Sequence, residues 1–103
     1  KTPMIAMIYT SIKDLIDGFV GDKKRFNRPV QVALDADNLI SVLGFITRDD
    51  LKTLGMDGRV AVYIPQSYNF AANLIIVDRS RVSHLAADPK EVMKFIVSGG
   101  VSG

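Results

Sequence analysis

The sequence predicts an α+β domain: an N-terminal helix, a four- to five-stranded, mostly antiparallel sheet or partial barrel, and a C-terminal helix. Three observations predict it. Apolar residues recur at helical spacing over residues 2–20 and again after Asp88, and β-type alternation fills the region between. The whole chain of 103 residues fits one domain, 1–103, and contains no linker-like stretch.

In the first segment Thr2 can cap a helix, Pro3 suits its first position, and Ile5, Ile8, Ile12, Leu15, Ile16 and Phe19 form an apolar stripe. Met4, Met7 and Tyr9 fall outside the stripe, so the first turns are apolar on more than one face. Two readings follow. The helix is buried within its own domain, or its extra face met a membrane or a neighbouring subunit. The run from Met4 to Tyr9 is far shorter than the roughly 20 residues of a membrane span. Lys23, Lys24, Arg25 and Arg28 come next, around Phe26. This cluster reads either as a solvated connection or as a membrane-proximal patch for acidic headgroups.

Val30, Val32 and Leu34 alternate with Gln31, Ala33 and Asp35, the period of a half-buried strand. Ala36-Asp37-Asn38 supplies a turn, and residues 39–47 are apolar on both faces, as a central strand would be. Arg48 to Gly58 is a polar excursion with room for a short helical turn before Gly55. Val60, Val62 and Ile64 then share a face up to Pro65, Leu74 to Val77 form another strand, and Val82 to Leu85 add a short edge.

The last helix has the strongest local signature. Asp88 is its cap, Pro89 its first residue, and Glu91 stands where a capping box needs a carboxylate. Val92, Phe95 and Ile96 are expected to face the core, with Met93 and Val97 flanking, and Gly99-Gly100 ends the helix.

The inventory excludes several chemistries. There is no cysteine, one histidine (His84) and one glutamate (Glu91), so nucleophiles and general bases are scarce and no enzyme is expected. Most carboxylates are aspartates in turn-like places such as Asp35, Asp37, Asp57 and Asp88, where they bond nearby backbone N–H groups. Asp49-Asp50 lacks further ligands close in sequence, and adjacent Ser83-His84 diverge on a strand, so neither a metal, a catalytic residue nor a cofactor is expected. A formal charge of +2 is too small for a nucleic-acid partner. The most distinctive loop is Pro65, Gln66, Ser67, Tyr68, Asn69 and Phe70, which sets two aromatics and two amides between strong strands. It reads as an interface or ligand loop, or as a turn whose aromatics fold back on the sheet.

Four segments resemble one family. Pro3 to Lys13 with its Ile8-Tyr9 pair, Leu43-Gly44-Phe45-Ile46-Thr47, Val62-Tyr63-Ile64-Pro65, and Met93 to Val101 are similar to segments of domain-of-unknown-function family 502, which includes the plant continuous-vascular-ring (COV) and LIKE-COV membrane proteins. The loop after Pro65 departs from that family, whose loop is rich in Thr, Pro, Ser and Gly around an asparagine; here Pro65 and Asn69 fit, and Gln66, Tyr68 and Phe70 do not. The resemblance implies two transmembrane helices upstream and no established activity. The start at Lys1 rather than methionine sets the same expectation, of a domain excised from a longer protein.

The resulting expectation is a non-catalytic soluble domain of a membrane-anchored protein, on the cytoplasmic side, that forms a homo-oligomer or binds a protein partner. Its membrane contact would come through the upstream helices, with Met4, Met7 and the Lys23 to Arg28 cluster nearby. The alternative is a small-ligand or ion-linked module of a membrane transport assembly, using the same loop.

Overall fold

Period-two alternation places Val30 and Val32 on one side of a strand and Gln31 and Ala33 on the other, and the same rule sorts each strand that follows. The computed structural model describes residues 26–103. Its strands are β1 (Pro29–Ala33), β2 (Ser41–Arg48), β3 (Arg59–Pro65), β4 (Ala72–Asp78) and β5 (Val82–His84), and its helix is α1 (Pro89–Val97). Every pairing is antiparallel, in the order β4-β3-β2-β1-β5.

That order and the chain's connections force the sheet to coil. β4 and β5 are the two outer strands, yet only Arg79–Arg81, a single 3-10 turn, joins them. A flat sheet would set its outer strands about 19 Å apart, at four strand spacings. A 3-10 turn rises roughly 2 Å per residue, so the link spans only about 8 Å. The sheet therefore curls until its edges approach at that corner. Two further features allow it. A bulge at Thr47 shifts the β2–β3 register between Ile46↔Val62 and Arg48↔Ala61, and bulges increase local twist. Gly44 lets β2 and β3 close tightly, since a Cβ there would lie 2.5 Å from the Tyr63 carbonyl oxygen and 2.6 Å from Ile64 Cδ1.

The concave side holds the main core: Val30, Val32, Ile46, Val60 and Val62 are buried together, with Val42, Ile64, Ile75, Val77 and Val82 packed against them. The convex side carries the second cluster, where Phe45 meets Val92, Met93 and Val97 of α1, flanked by Phe26, Leu85 and Ile96. The Phe26 ring sits 4.9 Å from Tyr63 and 6.1 Å, edge-on, from Phe45. The polar excursion is pinned by buried Leu51 and by two arginines: Arg28 bonds the Asp49 carboxylate at 3.0 Å, and Arg79 bonds the Asp49 carbonyl at 2.7 Å.

The helix–sheet–helix plan expected from the sequence is corrected by this architecture. Among the described residues it is a five-stranded antiparallel sheet with one helix, at the C-terminal end. The helix expected over residues 2–20 lies outside the described residues, as do Met4, Met7, Lys23, Lys24 and Arg25. Helical spacing there reports a local pattern only and carries no information on what packs against it. The inward face of α1 is corrected too: Val92, Met93 and Val97 are buried, while Phe95 is 41% exposed. The helix presents the 92/93/96/97 edge to Phe45, which rotates Phe95 out of the core.

Candidate functional site

The loop from Pro65 to Phe70 meets the C-terminal end of α1, and its polar atoms complete that end. A helix leaves its last four carbonyls without intrahelical donors. Here Gly99 N–H reaches the Ile96 carbonyl and Gly100 N–H the Phe95 carbonyl, the bond pair of a Schellman ending, with Gly99 at φ 70°. The loop supplies the rest. Ser67 Oγ donates to the Ile96 carbonyl at 2.8 Å, Tyr68 N–H to the Val97 carbonyl at 2.9 Å, and the Tyr68 hydroxyl to the Ser98 carbonyl at 2.8 Å.

The loop is built to aim those donors. Gln66 N–H closes on the Ala71 carbonyl, Asn69 Oδ1 accepts from Ala71 N–H at 2.7 Å, and Asn69 Nδ2 donates to Gln66 Oε1 at 3.2 Å. Asn69 thus forms an Asx-type turn inside the loop. Tyr68 takes φ 61°, the left-handed region that a bulky residue adopts only when its surroundings fix it. Four of the six loop residues therefore spend their polar groups on the loop and on α1. Pro65 is buried at the end of β3, and Phe70 is 52% exposed. Between loop, helix end and sheet lies an open groove of about 360 Å³, lined by Val42, Leu43, Pro65, Ser67, Phe95, Ile96, Gly99 and Gly100.

Arg28, expected in a membrane-proximal patch, is held by Asp49 at the far corner. Its guanidinium lowers the Asp49 carboxyl below the ordinary aspartate value, first by hydrogen bonding and then by charge. Asp78 is also lowered, by the Ser80 N–H first and the Ser80 hydroxyl second. Three other aspartates accept from nearby backbone N–H groups. Asp35 accepts from Leu39 and Ile40 N–H, Asp50 from Lys52 N–H, and Asp88 from Lys90 N–H. His84 is exposed on β5, opposite Val30. Among the described residues no group of three or more His, Cys, Asp or Glu converges to hold a metal, and no helix is long and apolar enough to cross a membrane.

Sequence reasoning singled out the loop but missed its partner. Ser67 and Tyr68 bond residues about 30 positions away, and no local spacing signals such a pairing.

Among the described residues the geometry is that of one antiparallel sheet, coiled on an aliphatic core and backed by one helix whose end is closed by a distant loop. The chain belongs to the family described as protein of unknown function (DUF502), whose family model matches residues 1–72. That span covers β1 to β3 and reaches the first residue of β4, so the Met93 to Val101 segment lies beyond it. Comparison with curated proteins and comparison with solved structures each gave no match.

Proposed function

We propose that the chain is the non-catalytic domain of a membrane-anchored protein, lying on the cytoplasmic side and acting through self-association or a protein partner. The observation that carries this reading is the apolar surface around the end of α1. Phe95 lines the groove, Tyr68 and Phe70 belong to the loop that gives it Pro65 and Ser67, and Val101 follows its Gly100 in sequence; all four of these large apolar residues are exposed. Exposed apolar surface grouped in this way is the usual mark of a binding face. The ligand-module reading has less support, because Ser67, Tyr68 and Asn69 direct their polar groups to backbone and neighbouring side chains.

The anchor, the side of the membrane and kinship with the COV branch rest on the sequence resemblance. Lys23, Lys24 and Arg25, a few residues before β1 in the sequence, fit a cytoplasmic face. Two measurements test the reading: light-scattering mass of the chain over a range of concentrations, and sedimentation with vesicles containing phosphatidylserine. The expected results are a mass that rises above 11.3 kDa and salt-sensitive vesicle binding. A mass fixed at one chain overturns self-association, and absent vesicle binding overturns the membrane-proximal role of the basic cluster.

A further inference from the structure

Among the described residues no strand pairs with the outer edge of β4, which leaves a row of main-chain donors and acceptors there. Two bonds beside the strand set which residues face outward. Arg79 N–H donates to the Gly58 carbonyl, and Gln66 N–H to the Ala71 carbonyl. Both pairs continue the register of Val60↔Val77, Val62↔Ile75 and Ile64↔Asn73. In an antiparallel ladder hydrogen-bonded and non-bonded pairs alternate. Asn73, Ile75 and Val77 therefore bond inward to β3, and Ala72, Leu74, Ile76 and Asp78 turn their N–H and C=O groups outward.

Natural edge strands are protected by lysine, proline, a bulge, shortness or a cover. β4 runs seven residues in unbroken register with β3, with no Lys, Arg or Pro and one charge, Asp78, at its end. Leu74 is 65% exposed on the same face as Tyr63. The opposite edge, β5, has only three residues and follows two arginines.

We propose that β4 pairs antiparallel with β4 of a second copy of this chain, about a twofold axis at Leu74. The inference rests on the self-association reading and names its surface. Self-complementarity selects a second copy as the occupant. With Leu74 opposite Leu74, Ala72 falls opposite Ile76, so outward-facing residues meet outward-facing residues and the bonds close on both chains. Asp78 falls outside the paired stretch, so no like charges oppose each other.

The test combines light scattering with amide hydrogen exchange on the whole chain, its Leu74→Lys variant, and Leu39→Ser, an exposed apolar position in the β1–β2 turn, as a variant outside the edge. At low concentration Asn73, Ile75 and Val77 exchange slowly and Ala72, Leu74 and Ile76 fast. At high concentration the mass approaches two chains and the second set slows by about tenfold or more. Leu74→Lys, at an exposed position, keeps its circular dichroism and stays one chain, while Leu39→Ser still pairs. A Leu74→Lys protein that still pairs overturns the edge and leaves self-association standing, as does dissociation by Leu39→Ser alone. A mass above two chains overturns the twofold arrangement. One-chain mass at every concentration overturns both the edge pairing and the self-association on which it rests.

Discussion

The hydroxyl of Tyr68 donates to the carbonyl of Ser98 at 2.8 Å, and the two residues are 30 positions apart in sequence. With Tyr68 N–H on Val97 and Ser67 Oγ on Ile96, this bond fastens the β3–β4 loop to the end of α1. Tyr68→Phe removes one partly exposed hydrogen bond and is expected to lower stability by about 0.5–1 kcal/mol in urea unfolding. Tyr68→Gly loses the same bond and the ring, but relieves a left-handed backbone worth roughly 1–2 kcal/mol. The glycine variant should therefore be little worse than the phenylalanine one. Equal stability of wild type and Tyr68→Phe would show that the hydroxyl bond contributes nothing.

Gly44→Ala tests the coiling of the sheet. Its Cβ would fall 2.5 Å from a backbone oxygen, which cannot yield as a flexible side chain does. Overpacking of this kind is expected to cost about 3 kcal/mol, a fall of roughly 12 °C or more in Tm for a domain of this size. A Tm within a few degrees of wild type would mean that β2 and β3 can separate there without penalty.

The start of α1 offers a comparison between two carboxylates. Asp88 accepts from Lys90 N–H at 3.0 Å, whereas Glu91 turns toward Lys94 at 3.8 Å instead of back to the cap. Asp88→Ala should destabilise by about 1 kcal/mol and Asp88→Ser by much less. Glu91→Ala should change stability by less than about 0.5 kcal/mol, as an exposed pair would. Chemical denaturation of the three variants decides the ranking.

Acid should loosen the corner held by Arg28 and Asp49. The folded carboxyl titrates below 3.8, the ordinary value, because the Arg28 guanidinium bonds and attracts its charged form. A depressed folded value stabilises the protein above the unfolded aspartate range and is lost as pH falls through the folded value. The effect is small because the pair is open to solvent. In an NMR titration the Asp49 midpoint should lie below 3.8 and rise toward it in Arg28→Gln. An unchanged midpoint in the variant would assign the shift elsewhere.

What was legible in the sequence was whatever a few neighbouring residues encode. Alternation at Val30/Val32 and Val60/Val62/Ile64 marks the buried face of each strand, Asp88-Pro89 opens α1, and Gly99-Gly100 ends it, since each signal acts over two to five residues. Aspartates at turns were readable for the same reason, as Asp35 and Asp88 show. The same reading misplaced Phe95, because helical spacing marks an apolar stripe wider than the edge that Phe45 can cover.

Tertiary structure alone decided the rest. The curl comes from a three-residue link between strands at opposite ends of the sheet, and neither strand's own pattern carries that order. From sequence the loop at Pro65 to Phe70 reads as an interface or ligand loop or as a turn folded back on the sheet, and neither reading contains its bonds to the end of α1, because the partner carbonyls lie some 30 residues away. Burial preference and capping are written into local sequence by side-chain chemistry. Which distant backbone group receives a donor is settled only when the chain closes on itself, and there Ser67 and Tyr68 became the fastening of a helix.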